Sequence, residues 1–268
     1  MASKMFSNPT QSVRTILILF CLIGMVFVQA VGFSFADELM TNLINTTLVR
    51  LFGGLAFLFL LMSFGYRFLR PLQKPFYTIL LVTLPAWIVA LNNLPWIAWI
   101  KGQVTFTEPL WMTGLFTLDV LSVGLFEEIV FRGVILVVFI QRLGSDKRGR
   151  FLAVFLSAGI FSIVHLFNLF AGAAVGDTLL QMSYSFGMGL MWGVVFLATG
   201  SIWSAVILHA TYNFTGLLFV TLGTVYGRYD AITIVLTTLF AVIAAVYYWV
   251  VLERLNPLVL EEMVTPKD

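Results

Sequence analysis

Leu125-Phe126-Glu127-Glu128-Ile129-Val130-Phe131-Arg132-Gly133 places three ionisable groups inside a run that otherwise reads as membrane-spanning. One charge at the centre of a spanning helix costs about 2.5–3.5 kcal/mol on insertion scales, and intramembrane Glu and Arg ordinarily face a bundle interior where they work. On an α-helix Glu128 and Arg132 lie four apart with the acid first, the favoured order for a same-face ion pair. Glu127 points about 100° away from Glu128. Arg132 therefore neutralises Glu128 and leaves Glu127 free. A carboxylate with few charge partners in a low-dielectric site is a strong proton acceptor. The alternative is that all three groups form one buried polar clamp between helices.

The rest of the chain supports a membrane setting. Of 268 residues, 60% are hydrophobic and 10% charged, against about 25% charged in a soluble domain. The mean hydropathy is +0.99. The net charge of +2 is too small to suggest a nucleic-acid partner. Cys21 is the single cysteine, so no internal disulfide framework exists.

Apolar runs predict eight spans, an all-α polytopic fold. They fall at about 15–35, 48–68, 76–91, 110–140, 151–170, 179–198, 202–222 and 232–252. The first also carries a passable signal-peptide cleavage site at Val28-Gln29-Ala30. Its apolar run continues past Ala30, which favours a retained span. A polar loop holds the glycosylation pattern Asn45-Thr46-Thr47. Pro85 is expected to kink the third span. Trp96 and Trp99 read as interface anchors, and Tyr247, Tyr248 and Trp249 as an aromatic belt. The fourth run is too long for one crossing. It is either tilted or broken near Gly124 or Gly133. Asp119 within it reads as a satisfied polar residue, and Gly189 with Gly193 as a helix-packing face.

Eight spans put both ends on one side. Eleven basic residues (Lys4, Arg14, Arg67, Arg70, Lys74, Arg142, Lys147, Arg148, Arg150, Arg254 and Lys267) share that side; Arg50, Lys101 and Arg228 fall on the other. The positive-inside rule places both termini in the cytoplasm.

Only two histidines occur, His165 and His209, and both lie inside predicted spans. Asn213 shares a face with His209, and Phe161 lies one turn before His165. Counted at 1.5 Å per residue from the span ends, Glu127, His165 and His209 can meet near one depth. Such groups suit hydrolysis. Glu127 can take a proton from water, His165 can orient that water, and His209 with Asn213 can donate hydrogen bonds to an oxyanion. Alternatively Glu127, His165 and His209 are ligands for a catalytic zinc with an open position.

Glu127-Glu128-x-x-x-Arg132, Phe161-x-x-x-His165 and His209-x-x-x-Asn213, in this order on three apolar segments, resemble the CAAX-protease and bacteriocin-processing (Abi) family of intramembrane endopeptidases. The family includes CAAX prenyl protease type 2 and lysostaphin-resistance-like members. The resemblance divides the chain into spans 1–3 (1–109), a protease-like core (110–216), and a final part with span 8 and a short tail (217–268). It implies an eight-helix fold whose cavity opens towards the cytoplasm or the lipid, and peptide-bond hydrolysis on membrane-associated or lipidated substrates. Glu127, His165, His209 and Asn213 match the family's catalytic positions, with Glu128, Arg132 and Phe161 in support. Family chemistry is metal-dependent or glutamate-driven. Relatives trim prenylated proteins or act in bacteriocin maturation and self-immunity. A non-catalytic immunity partner and a proton-coupled transporter are the competing readings; no inverted repeat between the halves supports the transporter.

Overall fold

The computed structural model describes residues 9–70 and 74–266. Helix α1 (Pro9–Ala30) and helix α2 (Glu38–Ser63) form an antiparallel pair. Helix α3 (Phe76–Asn92) and the short α4 (Trp96–Ile100) follow. Helix α5 (Met112–Glu128) runs into a π-helical stretch (Ile129–Leu136) and on into α6 (Val137–Leu143). Helix α7 (Lys147–Ile163) continues as a 3-10 stretch (Val164–Leu169). Then come α8 (Val175–Thr199), α9 (Ile202–Thr221), α10 (Ala231–Arg254) and the short α11 (Pro257–Val264). The strands β1 (Val104–Phe106) and β2 (Gly223–Val225) pair antiparallel, with Val104 opposite Val225.

This is an all-α polytopic membrane fold. Among the described residues six helices are long and apolar enough to cross a bilayer, and α3 is a shorter apolar helix. The long fourth run is neither broken at Gly124 nor at Gly133. It stays helical from 112 to 143 by switching to the wider π-helical winding after Glu128. The core centres on α8 and α9. Trp192, Phe196, Ile202 and Leu208 pack there against Ile129 and Leu136. Leucines and phenylalanines cover the outside, as expected where lipid is the solvent.

Three sequence readings change. Helix α2 begins ten residues earlier than the apolar run, because Asp37 accepts from the Met40 N–H and caps it. Asn45-Thr46-Thr47 thus lies in a helix and not in a loop. The Asn45 amide exchanges hydrogen bonds of 2.8 Å with the N–H and the C=O of Phe33, closing the α1–α2 turn. Tyr247 and Tyr248 are not simply a belt. Pro85 has no N–H for the Leu81 carbonyl, and the Tyr247 hydroxyl donates to that carbonyl at 2.7 Å. The Tyr248 hydroxyl inserts one step along: it accepts from the Ala86 N–H at 3.2 Å and donates to the Val82 carbonyl at 2.9 Å.

Asp119 is satisfied, as its sequence position suggests. It accepts from Arg50 and Thr46 at 2.9 Å and from Thr47 at 3.3 Å, tying α2 to α5. At the basic end of the bundle α11 is pinned by Glu262 to Arg67 and by Glu261 to Ser145. The strand ribbon and α4 close the opposite end.

Candidate active site

Close approach of backbones brings the site together. A Cβ at Gly124 would stand 2.8 Å from the Val206 carbonyl, so glycine lets α5 lie directly on α9. One turn later on α5 comes Glu128, and one turn later on α9 comes His209. Gly189 does the same for α8 against α7, where a Cβ would meet Ala158 at 2.9 Å. The packing role read from Gly189 is therefore visible, whereas a Cβ at Gly193 would meet Leu136 and Val154 at an ordinary 3.5 Å. Gly189 has a second use, since its carbonyl accepts from Arg132 Nη2 at 3.4 Å.

Glu128 is the hub. Its side chain is 0% exposed. Oε1 lies 2.9 Å from Arg132 Nη1 and 2.7 Å from His209 Nδ1. The Arg132 approach is charge to charge, without the alignment of a hydrogen bond. The same-face Glu128–Arg132 pair is as the i,i+4 spacing requires, and it crosses the start of the π-helical stretch. With Arg132 on its other side, Glu128 Oε1 is placed to accept from His209 Nδ1. His209 Nε2 is then turned towards Glu127 Oε2, 3.7 Å away. Glu127 is part-exposed and makes no hydrogen bond among the described residues.

Aromatic rings wall the hub. The Arg132 guanidinium sits over the Phe161 ring at 4.5 Å, a cation–π contact. The same ring meets His165 edge-on at 5.4 Å and His209 at 6.0 Å. Phe161 thus touches three of the polar groups at once. Trp192, 0% exposed, stacks on His209 with an angle of 21°. Sequence reasoning missed Trp192. Its only signal was position, since a tryptophan in mid-span is far from the interface that usually holds one.

His165 does not sit in regular α-helix. Helix α7 ends at Ile163, and His165 lies in the 3-10 stretch, within electrostatic reach of Glu127 and His209. Asn213 lies one turn beyond His209 and faces a neighbouring cavity of about 320 Å³. Four buried polar atoms around the hub lack a hydrogen-bond partner: Glu128 Oε2, Arg132 Nη1 (ion-paired only), His165 Nε2 and Trp192 Nε1. Buried polar groups of this kind are normally satisfied by ordered water. The arrangement is therefore a buried polar cluster with one carboxylate at its edge, Glu127, that makes no hydrogen bond among the described residues.

Among the described residues no three His, Cys, Asp or Glu side chains gather so as to hold a metal ion. Glu127, His165 and His209 are thus not gathered as a set of zinc ligands.

Residues 109–215 match the family model described as type II CAAX prenyl endopeptidase Rce1-like. The matched segment carries every site residue named above. Searches of curated proteins and of solved structures returned no match. The resemblance read from the three motifs and the family match agree: the core of this chain is similar to CAAX-type intramembrane peptidases, in a multi-pass membrane setting.

Proposed function

We propose that the chain is an intramembrane endopeptidase acting on membrane-associated or lipidated peptides, with Glu127 as general base. The observation that carries this is the division of labour between adjacent glutamates. Glu128 is consumed by Arg132 and His209, whereas Glu127 has no hydrogen bond and stands 3.7 Å from His209 Nε2. A water in hydrogen-bond contact with Glu127, at the usual ~2.8 Å, fits beside that gap. Glu127 takes its proton as the oxygen attacks the scissile carbonyl. His165 Nε2, buried without a protein partner, helps to hold the water. The proton that Glu127 takes from water is shared with His209 Nε2, 3.7 Å away, so that His209 keeps Nδ1 on Glu128 and turns Nε2–H at the developing oxyanion. Asn213 adds a second donor from the next turn. Glu128 and Arg132 orient His209 and do not touch the reacting atoms.

The test is cleavage of a pool of prenylated and leader-type peptides by purified protein in liposomes, read as new termini by mass spectrometry. Wild type should cut, and Glu127→Ala should lose about 10²- to 10⁴-fold in rate while inserting normally. A chelator arm reads whether a metal takes part. Equal cleavage by wild type and Glu127→Ala would remove the base from this role. No cleavage by wild type, together with a cellular phenotype that survives Glu127→Ala, would leave the non-catalytic partner reading.

The basic loops and both termini are assigned to the cytoplasmic face, following the positive-inside distribution. The polar cavity beside Asn213 is lined by Asn93, Arg228 and Tyr229 among others, all at the ribbon end. Under this orientation it opens away from the cytoplasm. Of the two openings that the resemblance implies, towards the cytoplasm or towards the lipid, the second is the one compatible with this orientation.

A further inference from the structure

We propose that the basic end of the bundle carries a seat for the phosphate of an anionic phospholipid, held by Arg70 and Lys74 with Arg67 at its edge. The seat shares no lining residue with the peptidase site, so neither the proposal nor its test depends on the peptidase reading. It is a pocket of about 240 Å³ between the segment joining α2 to α3, the end of α8 and the docked α11. Arg67, Arg70 and Lys74 come from the first of these, Thr199 and Gly200 from the α8–α9 turn, and Glu262 from α11.

The floor is fixed before any ligand arrives. The Ser201 hydroxyl donates to the Arg70 carbonyl at 3.0 Å, and the Trp203 indole N–H donates to the Leu69 carbonyl at 2.9 Å. Phe68, next in the chain, is 0% exposed and meets Phe196 edge-on at 5.3 Å. The backbone that carries the cations is thus stitched to α8 and to the start of α9. Lys74 reaches over the end of α8 and donates to the Ala198 carbonyl at 2.5 Å. That spends one of its three N–H groups. Arg67 is ion-paired with Glu262. The Arg70 guanidinium makes no hydrogen bond or ion pair with any described residue. Three cations against one acid leave the lining at net +2. A guanidinium fork beside an ammonium is the donor set that phosphate oxygens take.

The position of the pocket names the anion. Helices α2 and α8 end at Ser63 and Thr199, and α3 begins at Phe76. The pocket therefore lies at the level where hydrocarbon gives way to headgroups, the usual place for basic headgroup sites. Apolar side chains flank it. Phe76 and Tyr77, just beyond Lys74, are strongly exposed, as is Leu258 beside the lining residue Val259. A soluble phosphate would use the cations alone. A phospholipid uses both features, with its phosphate in the pocket and its chains along the apolar rim. A zwitterionic headgroup brings its own cation, which a net positive lining repels. The seat accordingly selects phosphatidylglycerol over phosphatidylcholine.

The experiment titrates the full chain, purified in neutral detergent, with either lipid and follows the first lipid bound by native mass spectrometry. Phosphatidylglycerol should bind about 10- to 100-fold more tightly than phosphatidylcholine, the range of a charge-assisted contact. Arg70→Gln combined with Lys74→Gln should erase that preference. Arg142→Gln combined with Arg148→Gln removes the same charge from exposed positions at the same end and should leave it intact. Arg70→Gln alone, at a side chain that bonds to no described residue, should melt with wild type and weaken phosphatidylglycerol by about tenfold. Equal affinity of wild type for the two lipids, or unchanged binding in Arg70→Gln, would overturn the seat. So would equal losses in the two double variants, which would assign the preference to general surface charge. Displacement of phosphatidylglycerol by inorganic phosphate at equal concentration would overturn the lipid occupant in favour of a soluble anion.

Discussion

Two adjacent glutamates with the same chemistry should behave in opposite ways when removed. Glu128 neutralises a 1%-exposed Arg132 and holds His209. Its loss leaves a buried cation unpaired, which typically costs about 3–5 kcal/mol. Glu128→Ala is expected to lower thermal stability in detergent sharply and to lose activity with it. Glu127→Gln breaks no hydrogen bond and should melt with wild type while losing activity. A melting comparison of the two variants checks this; similar midpoints would show that Glu128 is not the structural hub. Much of this was legible in the sequence. The i,i+4 order of Glu128 and Arg132 and the 100° offset of Glu127 sort the two acids into paired and free. The contact of Glu128 with His209 was not legible, because it depends on Gly124 letting α5 touch α9, 81 residues apart along the chain. Trp192 and the ring of Phe161 over Arg132 were hidden for the same reason: one apolar residue in an apolar span looks like another until its neighbours are known.

At the level of elements, the site sits where regular helix gives way. A π-helical stretch begins at Ile129, directly after Glu128, and a 3-10 stretch carries His165. Such departures from α-geometry recur at functional positions, and no hydrophobic pattern announces them. The proline in α3 was visible, but its remedy was not. Tyr248 replaces the interrupted ladder by bonding both Ala86 N–H and Val82 C=O. Within lipid those groups have no water to turn to. Tyr248→Phe should therefore destabilise the chain by about 1–3 kcal/mol, the cost of unsatisfied buried polar groups. Combining it with Pro85→Ala should recover most of the loss, since the ladder can then close by itself. Thermal unfolding of the two variants decides it; equal losses in single and double variants would mean that the hydroxyl serves the fold in some other way. The early start of α2 had a legible cause, since Asp37-Glu38 is a capping sequence, but a hydropathy window does not register caps.

For the whole molecule, the decisive quantity is which face each end of the bundle meets. Cys21 is buried, so single cysteines placed at the exposed Arg148 and at Arg228 report the two ends against little background. With the basic end in the cytoplasm, a membrane-impermeant maleimide added to intact cells should label Arg228→Cys and spare Arg148→Cys. The reverse pattern would put the cavity on the cytoplasmic face and send the substrate search among cytoplasmic, lipid-modified proteins. Labelling as expected directs it towards peptides met on the far side of the membrane or entering sideways from the lipid. The composition and the charge count made the membrane class and the bundle readable from the outset. The position of the cavity was not, because its walls come from α3, α8, α9 and the start of α10, which only the tertiary arrangement brings together.

The separate engagement of the two glutamates also bears on descent. A lineage that had no further use for proteolysis could drop Glu127 in one substitution without disturbing the bundle. It would have to keep Glu128, Arg132 and His209 merely to stay folded. Two of the three motif segments would then persist as a fossil of the scaffold, and a search keyed to them would gather retired copies alongside working ones. In sorting such sequences, the informative letter is the first glutamate of the pair.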